Sequence, residues 1–542
     1  MPTLHRPTRV LLAALALGLC ADYLFYGRLI GISAALFVAL GLATLAGLSV
    51  AEQRMPTRAN LWLAAAALFF ALCLAWRASA RLTGLNLLVV AGLLALLAIS
   101  YRSAALARQP LAQMLTQLFA GLSDLAFQPG VLALHAARGS AAPVVWRYRA
   151  RFRPIGCGLL LALPVLLVFT ALLMSADQVF ASYVEQMFSL DFPFDLAQLI
   201  SHAFFIGAIA WVCAGALLVA LLGDARSAFG RGFGALADGL IGLVYVDPQA
   251  THAEDLPAEG DTRPLRAPRQ ALISLGWVES LTVLVAVDLL FGSFMAIQGA
   301  YFFGGLDTLA RTGMTYSEYA RRGFFELLAV ACLSLGLLCA LAVVTRRAEI
   351  RQRRAFGAAC AAMIALVLGL LVSAFQRMLL YEQAYGYTEL RIYTHSFMIW
   401  LALVLALFLL ALLREKPQVF TFGAFASALM YLAVLNAANP DALIVRENIS
   451  RLSAPQTQTL RTDEQVDADY LTRLSADATP ELLAALPQLD DTSRQVVMQA
   501  LARQYERLTA QQHENGWPSW HVGRATAAWA IERAVGADKM TR

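Results

Sequence analysis

Charge is what this 542-residue chain has least of: only 15% of its residues are Asp, Glu, Lys or Arg. An ordinary soluble chain carries about 25%. So few charges cannot cover a water-facing surface, which excludes a soluble enzyme, a disordered scaffold or a nucleic-acid binder as the reading of the whole chain. Lysine is almost missing, with Lys416 and Lys539 alone, so the net charge of +5 rests on arginines. Spread among loops, these are an orientation signal rather than a nucleic-acid footprint. Paired cysteines are also missing. Cys20, Cys73, Cys157, Cys213, Cys332, Cys339 and Cys360 each lie in or beside a hydrophobic run, and no CxxC occurs. A free cysteine there behaves as a small apolar residue, so no disulfide framework and no metal site is read. GxSxG, HExxH and Walker A signatures are absent, and no two histidines stand at metal-binding spacing. The glycine-rich stretch 223–270 lacks the Gly-Lys-Ser/Thr that a phosphate loop needs. Nothing in the sequence asks for catalytic residues, a metal or a cofactor, and the reading leans away from an enzyme.

What is abundant is apolar: 59% of residues, with a mean hydropathy of +0.61. A membrane helix needs about 20 predominantly apolar residues. Eleven such stretches emerge, at 10–26, 29–50, 60–76, 84–100, 155–176, 198–222, 275–298, 323–345, 355–375, 393–413 and 418–436. The fold class is therefore all-α, a polytopic helical membrane bundle over residues 1–436. Arg6 and Arg9 precede the apolar run 10–19 as in a signal peptide. Leu19 before Cys20 defeats a lipoprotein reading, and the first stretch is read as an uncleaved span. With the N-terminus inside, inner segments hold 23 Arg and Lys residues and outer loops 8. That positive-inside bias implies a cytoplasmic N-terminus and, for an odd span count, an external C-terminus. Between the fourth and fifth spans, Leu111, Met114, Leu115, Leu118, Phe119, Leu122 and Leu125 form an apolar stripe, with Gln113, Gln117 and Asp124 off it. It reads as an inner interfacial helix near 109–128, followed by the basic stretch 146–153.

From about Ala437 the composition changes. Residues 437–542 carry 14 acidic and 11 basic side chains, the mark of a water-facing helical domain large enough for a small core. Ser475 or Asp477, and Asp491 or Thr492, stand where helix N-caps are expected.

Polar residues inside spans are costly and therefore informative. Asp288 sits mid-span among apolar neighbours, with Gln298 and Tyr301 farther along. Either it faces a water-filled cavity or a partner group, or it is protonated. Glu279, nine residues earlier, falls on the opposite helix face, so the two form no carboxylate pair. A second cluster occupies the outer connection 375–395: Arg377, Tyr381, Glu382, Tyr385, Glu389, Arg391 and His395, with Gly386 for a turn. Interfacial tyrosines stapled by Arg–Glu pairs are one reading. A recognition surface for an anion, a lipid headgroup or a partner is the other.

The run 377–391, Arg-Met-Leu-Leu-Tyr-Glu-Gln-Ala-Tyr-Gly-Tyr-Thr-Glu-Leu-Arg, resembles the hallmark of bacterial membrane proteins grouped as domain of unknown function 4173, with the related group 4153. The segment from Asp288 to Gly305, the stretch 315–324, Asn439-Pro-Asp-Ala442, the stretch 469–477 and Trp517-Pro-Ser-Trp520 are similar to further parts of that family. The resemblance runs from about residue 270 to the end. It implies placement in a bacterial inner membrane and the architecture, and no catalytic residues.

Three functional expectations follow. The first is a permease-like or channel-like bundle for a small or ionic solute, with Asp288 and the outer cluster lining a path. Its alternative is a non-enzymatic envelope or sensory protein whose domain 437–542 binds an envelope protein. A lipid-active membrane enzyme is the third. The bilayer is the one partner common to all, and nucleic acid is not among them.

Overall fold

A computed structural model describes residues 7–102, 121, 124–126, 128–130, 196–222, 277–303, 324–345, 347, 349–453 and 467–541. The expected fifth span at 155–176, most of the interfacial helix near 109–128, the basic stretch 146–153, the glycine-rich segment and nearly all of 315–324 lie outside these residues.

The architecture is all-α. Ten described helices are long and apolar enough to cross a membrane: α1 (Pro7–Phe25), α2 (Ile32–Ala51), α3 (Trp62–Trp76), α4 (Ala80–Ser100), α5 (Leu196–Leu222), α6 (Trp277–Phe303), α7 (Phe324–Val344), α8 (Ile350–Tyr385), α9 (Glu389–Leu413) and α10 (Pro417–Ala438). They coincide with the ten expected spans on which the structure bears. Beyond them come α11 (Pro440–Ser453), α12 (Ala468–Thr472), α13 (Thr479–Ala485), α14 (Asp491–Asn515) and α15 (Val522–Thr541).

The spanning helices pack into two groups. Helices α1–α5 share one apolar core, built on Leu63, Leu82, Leu93, Leu218 and Leu221 and joined by Leu432 and Leu435 of α10. A second core lies among α6–α9, around Leu284, Leu338, Met363, Ile364 and Leu370. Between them runs α10, packed along α9 and tied to α4 by two fully buried side chains. The Asn86 and Asn436 amides donate to each other at 2.8 and 2.9 Å, which satisfies polar groups that lipid would leave unpaired. A third core, on Ile444, Leu471, Leu482, Val497 and Leu501, belongs to α11–α15.

The two ends of the bundle differ. At one, Arg54 and Arg102 both donate to the Leu221 carbonyl, at 2.7 and 3.2 Å, placing cations at the negative end of α5. The other end carries the α1–α2, α3–α4 and α8–α9 turns, and α11–α15 lie across it. Among the few described positions of 121–130, Asp124 is buried, and Trp211 of α5 donates to the Ala126 carbonyl. The side chain expected on the polar face of the interfacial helix is therefore inside.

The most consequential departure from the sequence reading is α8. Its 36 residues span roughly 54 Å at about 1.5 Å each, well beyond a hydrocarbon layer of about 30 Å. Residues 375–395 are thus no open connection. They are the end of one helix and the start of the next, separated only by 386–388. Gly386, at φ 78° and ψ −175°, ends α8 with its N–H on the Glu382 carbonyl at 2.8 Å. That backbone conformation is open to glycine almost alone, and a Cβ there would strike Asn448 and Arg451.

Candidate functional site

The extension of α8 sets the geometry of the expected cluster. Phe375, Met378 and Glu382 recur at spacings of three and four, which puts them on the face turned to α9. Glu382 is 1% exposed, and its Oε1 lies 3.0 Å from His395 Nδ1 of α9. The ring of Phe375 covers that histidine, 4.0 Å between centroids. The second oxygen of Glu382 and the second ring nitrogen of His395 are buried with no hydrogen-bond partner. Arg377 is buried too. Arg391 lies over the Tyr381 ring, 4.2 Å from its centroid, and donates to the Gly386 carbonyl, while Tyr381 and Tyr385 pack at 5.0 Å.

Glu389 departs from the expected Arg–Glu staple within the hairpin. It pairs instead with Arg81 at the start of α4, at 2.9 Å. The hairpin is thus tied across the molecule as well as within itself.

Asp288 is not part of this group. It is half-buried on α6, and one carboxylate oxygen lacks a partner. Met295, farther along α6, reaches Gly369 of α8, and Arg377 lies beyond that again, so Asp288 and Arg377 are roughly 20 Å apart along the bundle at about 1.5 Å per residue. Gln298 and Tyr301 belong to the last turns of α6, and their side chains lie outside the described residues. Asp288 and Arg377 therefore do not meet.

What the sequence reading missed is the seam where α11–α15 meet the bundle. Asp477 accepts the backbone N–H of Ala78 at 2.7 Å and of Ser79 at 3.2 Å, so a side chain some four hundred residues away caps the entry to α4. Arg77 beside it donates to the Asn436 and Ala437 carbonyls, at 2.6 and 3.3 Å, and so caps the end of α10. Burial pushes the Asp477 carboxyl up to about 6, against the opposing pull of Arg77 and the two amides. His521, 4% exposed, is pushed down to about 4 by burial and by the charge of Arg524. Asp441 is fully buried, with one oxygen on the Ser475 N–H at 3.3 Å and the other unpartnered.

The same layer grips two more turns. Asn448 accepts from the Tyr387 N–H and donates to the Tyr387 carbonyl, both at 2.8 Å, and the Tyr470 hydroxyl accepts the Glu389 N–H at 2.8 Å. At the α1–α2 turn, Asn515 accepts the Leu29 N–H, the Trp520 carbonyl accepts the Ile32 N–H, and Arg524 donates to the Ile30 carbonyl. Both cores of the bundle are thereby fastened to one cap. Asp441 and Asp477 stood in plain view in the 439–442 and 469–477 motifs, but Asp477 reads there as an ordinary N-cap. In the sequence, Arg77 and Arg81 are simply two of the eight outer-loop cations. No group of three or more His, Cys, Asp or Glu able to hold a metal occurs among the described residues.

The family model described as "Domain of unknown function (DUF4153)" matches residues 64–485. The chain belongs to the DUF4153 family. This is the group named above as the relative of group 4173. The match begins within α3, far earlier than the resemblance from about residue 270, and ends with α13. It takes in Arg77, Arg81, Asp288, the α8–α9 hairpin, Asp441 and Asp477, and stops short of His521 and the 517–520 motif. A search of the curated proteins and a search of the solved structures each found no match. The DUF4153 description and ten apolar helices make this a multi-pass membrane protein.

Proposed function

We propose that this DUF4153 protein is a non-enzymatic membrane protein that acts through its C-terminal helical layer, residues 437–542, with a protein partner of the cell envelope bound on that layer. The N-terminus is then cytoplasmic, the membrane a bacterial inner one, and the cap external. The observation that carries the reading is the seam: one cap holds the turns 27–31, 77–79 and 386–388, so a force or ligand on it reaches both groups of spans together. Buried polar networks of this kind favour a unique arrangement, because half-satisfied they are costly. The test is in-cell photocrosslinking from the exposed cap residues Met498 and Trp529. A discrete protein adduct, altered when Asp477→Ala loosens the cap, supports the reading. Crosslinks to lipid alone would refute it.

A second reading, permease-like transport of a small or ionic solute, is favoured by the unpartnered oxygen of Asp288 within a span and by the buried Glu382–His395 pair. Ionisable groups in such places mark substrate or proton paths in many bundles. It requires that Asp288→Asn change solute flux at unchanged abundance. Wild-type flux in Asp288→Asn and Asp288→Leu alike would remove it.

A further inference from the structure

A groove of about 390 Å³ lies between the α1–α2 turn and the last turn of α14. Phe25, Arg28 and Leu29 line it from one side, Gln511, Glu514 and Asn515 from the other. Its level in the membrane follows from the chain itself: one span ends at Phe25 and the next starts at Ile32. The residues between them stand at the boundary of the hydrocarbon, where headgroups are. Two aromatic side chains mark the same level. Tyr23 and Trp517 are each more than half exposed, and the indole N–H donates to the tyrosine hydroxyl at 3.3 Å. Amphipathic rings settle at that depth.

The groove carries one charge of each sign. Arg28 lies over the Tyr23 ring and gives one N–H to the Tyr23 carbonyl at 2.6 Å, which leaves further guanidinium donors for an anion. Glu514, across the groove, is exposed and makes no ion pair with Arg28 or with any other described residue. Asn515, the floor, is already committed to the Leu29 N–H and the Gln511 carbonyl, so it fixes the shape without competing for a ligand. Opposite charges that face one opening without closing on each other match a ligand that is itself a zwitterion.

We propose that this groove holds the headgroup of a zwitterionic phospholipid bearing a primary ammonium, with the phosphate on Arg28 and the ammonium on Glu514. The lipid's acyl chains then continue down the exposed flank of α1, where Leu12, Leu15 and Leu19 face outward. A primary ammonium has three N–H donors for a carboxylate, whereas a quaternary choline has none. The inference stands apart from the proposed partner, since it concerns how the cap sits on the bilayer.

The experiment is native mass spectrometry of the full-length protein in detergent, titrated separately with phosphatidylethanolamine, phosphatidylcholine and phosphatidylglycerol. The ethanolamine lipid should be retained about fivefold better than the choline lipid. Glu514→Gln should lower retention of the ethanolamine lipid to the choline level and leave the glycerol lipid unchanged. Arg28→Ala should weaken all three. Equal retention of the ethanolamine and choline lipids by the wild type would overturn the assignment. So would an ethanolamine preference that survives Glu514→Gln, a surface substitution that leaves folding intact. Neither result bears on whether a protein partner binds the cap.

Discussion

The spans and the seam are held by different physics. Within the two groups of spanning helices the contacts are mostly apolar, and lipid tails are as apolar as the side chains they would replace. Of the α6 span Trp277–Ala296, only 11% is buried inside the protein, so most of that helix faces outward. At the seam the contacts are backbone amides, carbonyls, carboxylates and guanidinium groups removed from water, each costly to leave unmade. The contrast teaches where a change in this protein has leverage. A span tolerates adjustment, whereas the seam is either closed or open.

The sharpest way to break that contrast is Asp477→Ala. It strands the Ala78 and Ser79 amides and leaves Arg77 without its carboxylate. Each buried donor left unsatisfied costs about 1–3 kcal/mol, so the cap should become susceptible to limited proteolysis while the spans stay protected. A cap as resistant as in the wild type would mean that the seam contributes little.

The next effect is one of pH, and two groups oppose each other. The Asp477 carboxyl sits at about 6 in the folded protein against an ordinary 3.8. The closed seam therefore binds this proton before the open chain does, and the stability it contributes in acid is lost as pH rises from about 4 to 6. His521 sits at about 4 against 6.5, so the closed seam excludes its proton, and stability is lost as pH falls from about 6.5 to 4. Each shift corresponds to roughly 3 kcal/mol, of opposite sign. Cap stability in the wild type should thus be nearly level between pH 4 and 6.5. His521→Gln should make it fall with rising pH, and Asp477→Asn should make it rise. Thermal unfolding followed at several pH values reads both slopes, and parallel slopes in the two variants would refute the opposition.

Smaller effects separate the turn from the spans. Gly386→Ala forces a side chain into a backbone conformation reserved for glycine and against Asn448, at a cost of about 1–3 kcal/mol. Hydrogen exchange at Tyr387 and Glu389 should quicken. Asn86→Ala, inside the membrane, breaks a reciprocal amide pair, yet such bonds average under about 1 kcal/mol there. Its measured loss should be the least of the set, and a larger loss than that of Asp477→Ala would invert the account.

Much of this was legible in the sequence, for definite reasons. Runs of leucine, alanine and valine locate the described spans because about 20 apolar residues have few other stable fates. Asp288 stood out because charge is rare in such a run. The face shared by Phe375, Met378 and Glu382 follows from helical spacing once the helix is known to continue, and Gly386 marks where it stops. What lies across from a face does not follow from spacing. Nothing near Glu389 in sequence points to Arg81, and the local surroundings of Asp477 are those of a routine cap in a polar segment. Whether Asp288 and Arg377 meet cannot be read from spacing, for the same reason. Two conspicuous charges need not be neighbours, and these two sit on different helices at different depths.

Hydrogen–deuterium exchange of the turns 27–31, 77–79 and 386–388, in wild type and Asp477→Ala protein held in lipid nanodiscs, tests the central claim most directly. If one cap fastens both groups of spans, all three turns are slow in the wild type and all three quicken together in the variant. If 77–79 quickens while 27–31 and 386–388 stay slow, the cap is a set of independent contacts and the coupling proposed for it is contradicted.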